Sequence, residues 1–323
     1  MDEFELIRRI ERVLGRSALP DSRVVLGIGD DAAILAPSCD RVVATTDSLV
    51  EGVHFRWALC SPVDVGYKAV TVNLSDLAAM GARPLGLLLS LCLSRPQDTA
   101  RALGVARGVA VASRSYGVRV VGGNITAIDG PTVVTVTALG ESSKDTRLVR
   151  SGALPGDRVM VSGRLGEAAL GLAMLSRMPE LASSHPRLAR AYRRPEAAVA
   201  LGLVLAARDG VHAVIDVSDG LLADLGHVLA ASRVGARIDA DALPVAPCAR
   251  RFARKVGIDP IEAAMSGGDD YVLLACVAPD VVGELEGFGM IAIGSITTRK
   301  GRLEVRRDGR RFDTGCLGYR HFD

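Results

Sequence analysis

Gly27-Ile28-Gly29-Asp30-Asp31-Ala32-Ala33 is the stretch around which the chain is organised. It follows Val24-Val25-Leu26, a β-branched apolar run that reads as a buried strand. Two glycines permit a tight turn, and two adjacent carboxylates stand where the chain leaves the strand. Adjacent carboxylates repel each other, so a protein that fixes such a pair in a turn usually supplies a cation. Taken alone, the pair reads better as a solvated turn. It is not alone. Asp-bearing strand ends recur at Thr45-Thr46-Asp47, Asn73-Leu74-Ser75-Asp76, Asp216-Val217-Ser218-Asp219-Gly220 and Gly267-Gly268-Asp269-Asp270.

The 323 residues suffice for about two ordinary domains. Hydrophobic residues make up 49% and aromatics only 4%, so Ala, Val, Leu and Gly fill the cores. A formal net charge of +2 argues against a basic nucleic-acid binder. Met1-Asp2-Glu3-Phe4-Glu5 is acidic, opposite in charge to a secretory leader. Leu85 to Leu93, the most apolar run, is too short to span a bilayer. The six cysteines are scattered with no C-x-x-C pair, and Cys92 and Cys276 read as small buried hydrophobes. A reduced, cytoplasmic protein without zinc, membrane or nucleic-acid partners is expected.

Hydrophobic periodicity predicts an opening amphipathic helix over Phe4 to Leu14, with strands at Val24 to Ile28 and Arg41 to Thr45. A helix over Pro62 to Gly81 puts Asn73 and Asp76 on one face, a costly placement unless they bind something. Lys68 on the same helix is expected to snorkel to solvent. A strand at Gly86 to Leu93 and a helix over Pro96 to Tyr116 come next. A strand from Val118 then ends in Gly122-Gly123-Asn124, and another covers Thr132 to Leu139. The polar run Glu141 to Arg150, leading into Ser151-Gly152-Ala153-Leu154-Pro155-Gly156-Asp157, marks a domain boundary. The second half restarts as a strand at Arg158 and continues with helices at Gly166 to Leu175 and Glu196 to Arg208. Between those helices lies a polar loop containing His185-Pro186. After the strand Val211 to Val217, Ser218 or Asp219 is expected to cap a helix to about Ala231. Strands and helices alternate in both halves, which predicts an α/β fold of two lobes sharing a cleft.

Acidic residues interleaved with Gly and hydroxyl residues suit hard cations, and magnesium completed by phosphate oxygens points to a nucleotide substrate. Neither a G-x-x-x-x-G-K-[ST] loop nor a protein-kinase signature set occurs. Gly27-x-Gly29-x-x-Ala32 with Asp47 imitates a dinucleotide fingerprint. Asp30 and Asp31 would there face the pyrophosphate, and Pro20 and Pro37 leave little room for a crossover helix.

At Gly27-Ile-Gly-Asp-Asp-Ala-Ala33, Thr45-Thr-Asp-Ser-Leu-Val-Glu-Gly-Val-His-Phe55 and Tyr67-Lys-Ala-Val-Thr-Val-Asn-Leu-Ser-Asp76 the chain resembles thiamine-phosphate kinase. Met80-Gly-Ala-Arg-Pro84, Asp216-Val-Ser-Asp-Gly-Leu221 and Ser266-Gly-Gly-Asp-Asp-Tyr271 extend that resemblance over nearly the whole chain. Thr45 to Phe55 is its most specific part; the Gly-Gly and Asp-Asp pieces recur across aminoimidazole ribonucleotide synthetase-like proteins.

The resemblance implies transfer of the ATP γ-phosphate to thiamine monophosphate, giving thiamine diphosphate. It implies a two-lobed aminoimidazole ribonucleotide synthetase-like fold and a homodimer formed through the N-terminal sheets. Residues 1–150 would bind ATP and magnesium and dimerise, and residues 151–323, an α/β domain, would complete the cleft. It implies that Asp30, Thr45, Thr46, Asp47, Asp76, Asn124, Asp216 and Asp219 hold several magnesium ions. Gly123, Asn124, Arg150 and Ser218 would contact ATP, and His54, Asp269 and Tyr319 the thiamine phosphate. Three positions depart from the family pattern: Asn124 stands for Asp, Asp269 for Glu and Tyr319 for Trp.

An acceptor phosphate has a second pKa of about 6, so its oxygen is already anionic near neutrality and needs no general base. It needs charge neutralisation, for which Asp47 (through magnesium) and Arg150 are the candidates. Direct in-line transfer without a phosphoenzyme follows. Two alternatives remain: another ATP-dependent synthetase of the superfamily, and a non-catalytic nucleotide-binding maturation or regulatory protein.

Overall fold

The computed structural model describes residues 3–15, 21–28, 32–96, 98–143, 148–313 and 318. The chain divides into two compact units, Met1–Leu77 with Ala82–Asp145, and Ala78–Gly81 with Thr146–Asp323.

The first unit runs α1 (Glu3–Gly15), β1 (Val24–Leu26), β2 (Ile34–Leu35), β3 (Arg41–Val50), α2 (Pro62–Ala79), β4 (Arg83–Ser94), α3 (Thr99–Tyr116), β5 (Val120–Ile128) and β6 (Val133–Ser142). Its main sheet has the order β3-β6-β4-β5, parallel only between β4 and β5, the pair that α3 connects. Along β4, Leu87, Leu89, Leu91 and Leu93 are buried, while Leu88, Ser90, Cys92 and Ser94 on the opposite face are not. Period-two alternation thus sets which face the helices cover. α3 begins where Asp98 accepts a bond from the Arg101 amide and stops at Gly117 in the left-handed region.

α2 and α3 meet backbone to backbone. A Cβ on Gly66 would lie 2.0 Å from the Val105 carbonyl oxygen, and one on Gly108 2.0 Å from that of Val63. Glycine is required there by proximity alone. β1 and β2 pair antiparallel, which removes the dinucleotide fingerprint, since that motif needs parallel strands and a crossover. Arg23, before β1, bonds Glu141 of β6 at 2.7 Å and anchors this hairpin. Burial pushes the Glu141 carboxyl up, but the Ser38 amide, Arg23 and the Ser38 hydroxyl together hold it below its ordinary value.

The second unit runs β7 (Arg158–Val161), α4 (Glu167–Arg177), α5 (Pro186–Arg193), α6 (Val199–Ala206), β8 (Val211–Val217), α7 (Leu221–Ser232), β9 (Gly235–Asp239), α8 (Pro247–Lys255), α9 (Pro260–Ser266), β10 (Val272–Val277), α10 (Val282–Gly287), β11 (Ile291–Thr297), β12 (Leu303–Arg307) and β13 (Arg310–Phe312). Its sheet has the order β13-β12-β9-β11-β7-β10-β8. Helices and mixed sheets make both units α/β, as the alternation predicts. No helix among the described residues is long and apolar enough to cross a membrane. Cys276 is buried and its thiol is pushed up to about 12, chiefly by desolvation, whereas Cys92 is only half-buried.

Several expectations need correcting. Thr45-Thr46-Asp47 does not end a strand: β3 continues to Val50 because each residue pairs in register with β6. Asn73 to Asp76 lie inside α2, and Gly122 to Asn124 lie inside β5, which runs to Ile128 beside β4. Lys68 is 3% exposed, so it is enclosed rather than snorkelling. The polar loop around His185 is largely helical, because Leu188, Ala189 and Tyr192 of α5 bury a narrow face. α9 was not expected either; Asp259 caps it through the Ile261 amide.

The glycine contacts generate a paired test. Gly108→Ala is expected to overpack the α2–α3 crossing by about 1–3 kcal/mol, lowering Tm by roughly 3–10 °C. Gly226 in α7 has nothing within 4 Å of its Cβ position. Gly226→Ala is therefore expected to hold or raise Tm by about 1–3 °C. Equal responses in calorimetry would contradict this packing.

Candidate functional site

In the first unit, alternation along β3 sorts the expected ligands. Thr45 and Asp47 share the face of Val136 and Leu89, and the Thr45 hydroxyl donates to Asp76 Oδ2 at 2.7 Å. Thr46 and Ser48 stand on the other face, bonded to Thr137 at 3.0 Å and to Thr135 at 2.7 Å. Ser48, Thr135, Ser90 and Asn124 are successive partners across the four strands, so Asn124 shares that second face. The unit therefore unites Thr45 with Asp76 and sets Asn124 on the opposite face of the sheet from Asp47.

Asn73 is wholly buried, its amide donating to the Ala69 carbonyl at 2.9 Å. Its Oδ1 has no hydrogen-bond partner among the described residues. A Cβ on Gly123 would come within 2.0 Å of the Leu89 oxygen, so strand packing alone demands glycine. His54 is half-buried, and its Nδ1 accepts from the Val50 amide at 3.1 Å, which puts the ring proton on Nε2.

In the second unit, the end of β8 meets the start of β10. Asp216 is 4% exposed and pairs in register with Leu273. Ser218 and Asp219 follow β8, but neither caps α7. The Asp224 carboxyl instead ties down the turn that precedes α7, accepting the Ser218, Asp219 and Gly220 amides at 3.0, 3.1 and 3.1 Å. Burial, and secondarily the charge of Asp219, raises Asp224 to about 6. The sequence carried a signal for it: a lone carboxylate among Leu221, Leu222 and Leu225, at a buried helical position.

Across from Ser218 the chain bends twice into the left-handed region, at Asp269 (φ 69°) and Tyr271 (φ 50°). Left-handed backbone is unusual for aspartate and an outlier for tyrosine. The Asp269 amide donates to the Ser218 carbonyl and the Tyr271 amide to that of Val217, both at 2.7 Å. Gly268 allows this approach, because its Cβ would lie 2.7 Å from the Ser218 oxygen. The Tyr271 hydroxyl donates to Asp269 Oδ1 at 3.0 Å. Both residues line a cavity of about 680 Å³ within this unit, together with Arg164, Arg187, Arg190 and Arg194. Glu167 engages Arg187 through both carboxylate oxygens at 2.8 Å, which moderates the cationic rim.

Arg150 is exposed, just beyond the start of the second unit. Asp30 and Tyr319 lie outside the described residues. Among the described residues no cluster of three or more His, Cys, Asp or Glu forms a metal site.

Residues 29–142 match the N-terminal domain and residues 155–306 the C-terminal domain of AIR synthase related proteins, which defines the class. Thiamine-monophosphate kinase of Escherichia coli strain K12 is 38% identical over 333 residues, covering 99% of this chain and 98% of the relative. The crystal structure of thiamine-monophosphate kinase from Stenotrophomonas maltophilia superposes with a TM-score of 0.83 at 37% identity, over 97% of this chain and 98% of that one. AaThiL, solved in complex with AMPPCP and TMP, superposes with a TM-score of 0.76 at 32% identity, over 98% and 96%. The chain belongs to the thiamine-monophosphate kinase family.

Asp270 offers a stability test. It lines the cavity, and desolvation pushes its carboxyl up to about 8, against the pull of the Gly166 and Ala168 amides. An unfolded aspartate releases its proton near about 4. The folded state therefore holds the proton more tightly, and this stabilisation is complete below about pH 4 and lost as pH rises through about 8. Tm of the wild type is expected to fall faster than that of Asp270→Asn between about pH 5 and 8. Parallel profiles would contradict the assignment.

Proposed function

We propose that the chain transfers the γ-phosphoryl group of ATP directly to the phosphate of thiamine monophosphate. The match to AaThiL, solved with AMPPCP and TMP, carries this reading. An acceptor oxygen attacks the γ-phosphorus, the bond to the β-phosphate oxygen breaks, and thiamine diphosphate and ADP leave. The acceptor is a phosphate monoester with a second pKa of about 6, so attack requires no proton acceptor. The protein's task is to bring two anions together in line.

Asp30, Thr45, Thr46, Asp47, Asp76, Asn124, Asp216 and Asp219 are the residues we assign to magnesium. Every donor in that set is a carboxylate, hydroxyl or amide oxygen, which suits a hard cation. The 2.7 Å pair Thr45–Asp76 brings two such oxygens together. Bound magnesium supplies neutralisation of phosphate charge. Gly123, Asn124, Arg150 and Ser218 are assigned to ATP, with Arg150 offsetting charge that builds during transfer. His54, whose remaining ring proton sits on Nε2, is assigned to the thiamine phosphate with Asp269 and Tyr319.

A homodimer is part of the same reading. β3 is an edge strand of ten residues, and Val42 on it is 56% exposed. A long edge invites another strand, and a second copy of this sheet is the natural occupant. We place the enzyme in the cytoplasm, in keeping with the free state of Cys39, Cys60, Cys92, Cys248 and Cys276.

ATP and magnesium with thiamine monophosphate should give thiamine diphosphate, and excess chelator should abolish it. Free thiamine should not react, because its alcohol needs a base. Turnover of formylglycinamidine ribonucleotide instead would select the synthetase reading, and no turnover of any acceptor the non-catalytic one. Asp47→Asn is nearly isosteric and should keep the wild-type Tm while lowering turnover by about 10²–10³. Unchanged turnover would show that Asp47 is a structural residue.

A further inference from the structure

The Asp269–Tyr271 pair faces the cavity through two consecutive left-handed bends, and such bends persist only where surrounding structure over-determines them. Two of the restraints are the amide bonds to Ser218 and Val217. The third comes from the residue between the bends. Asp270 Oδ2 accepts the Gly166 amide at 2.7 Å, with Oδ1 3.5 Å from that of Ala168. These amides open α4, whose own N-cap residue, Gly166, contributes no side-chain bond. Asp270 therefore caps α4 from 104 residues away and fixes the bent segment to it. A Cβ on Gly166 would come 2.8 Å from the Ala263 carbonyl carbon, so α4 at that point is itself wedged against α9. With the backbone clamped on both sides, the Tyr271 hydroxyl reaches Asp269 Oδ1 and fixes that carboxylate's orientation.

We propose that Asp270 is a positioning residue for the acceptor site: by bonding the α4 amides it holds Asp269 and Tyr271 in their bends and aims the Asp269 carboxylate at the thiamine moiety. The proposal rests on the reading that Asp269 contacts thiamine monophosphate. The Asp270 carboxyl is taken up by the α4 amides, and its neighbour in the motif does the binding. Loss of the clamp lets the segment relax, so the geometry at Asp269 degrades, while Ser218 on the nucleotide side stays held by the Asp224 carboxyl.

Three measurements on the full chain test this. Asp270→Ala is expected to raise KM for thiamine monophosphate by about 10- to 100-fold, with KM for ATP within about twofold of wild type. Asp270→Asn retains one acceptor oxygen for the Gly166 amide and should recover most of that loss. Hydrogen exchange of the Asp269 and Tyr271 amides should accelerate in Asp270→Ala by about tenfold or more, beyond any change in the β10 core. If Asp270→Ala does not fold, Asp270→Ser, too short to reach α4, carries the same expectations. A fall in Tm with both KM values unchanged would overturn the proposal and leave a merely structural cap. Unchanged exchange at Asp269 and Tyr271 would overturn it too, whatever the substrate. Wild-type protein that neither phosphorylates nor, by calorimetry, binds thiamine monophosphate would instead overturn the proposed function, and the exchange result would still decide whether Asp270 clamps the segment.

Discussion

Repulsion between carboxyl groups is the constraint that shapes the second unit. Asp216, Asp219, Asp224, Asp269 and Asp270 gather where β8 ends and β10 begins, with Asp216 and Asp224 almost fully buried. Like charges held together in a poorly solvated place lose their charge or find donors. Here the donors are backbone amides. Asp224 collects those of Ser218, Asp219 and Gly220, and Asp270 those that open α4. Two carboxylates thus act as struts, which leaves Asp219 and Asp269 anchored by their backbones at the positions where the phosphate chemistry is proposed. The glycines of the motif follow from the same demand, since Gly268 must let the Ser218 carbonyl come close.

The first unit meets a different constraint with similar means. Its sheet must be apolar where α2 and α3 cover it and polar on the other face, and strict alternation along β4 achieves both. Polar ligand candidates can then occupy only the sheet's second face, its edge strand, or a buried helix position beside a partner. Thr46 and Asn124 take the first course, Asp47 the second, and Asp76 with Thr45 the third. Backbone contact between α2 and α3, enforced by Gly66 and Gly108, brings α2 close enough for this arrangement to be stable.

Much of the fold was legible because hydrophobic periodicity is a local signal. The helices α1 to α3 and the strands β7 and β8 stand close to where their apolar spacing puts them. The segments that depart from their own pattern are those held by partners. β3 runs on through Thr45, Thr46, Asp47 and Ser48 although nothing in that run is apolar, because β6 pairs with every residue of it. α5 is mostly arginine and alanine and shows its helical face only through Leu188, Ala189 and Tyr192. Ser218 and Asp219 are the better cap residues by type, yet their amides turn to Asp224, and only the folded structure shows which carboxyl those amides face.

By itself, the sequence determined the alternation of strands and helices, the oxygen-rich chemistry of the acidic motifs, and the family that those motifs resemble. These are properties of residue type and spacing, which travel with the chain. It did not determine the division of labour within an adjacent pair. Asp269 and Asp270 are the same residue side by side and both line the cavity, yet one carries the Tyr271 hydroxyl on its carboxylate while the other caps a helix begun 104 residues earlier. Only the tertiary structure decided that, because a carboxyl group's role follows from its donors and its access to water, and both arrive from distant parts of the chain.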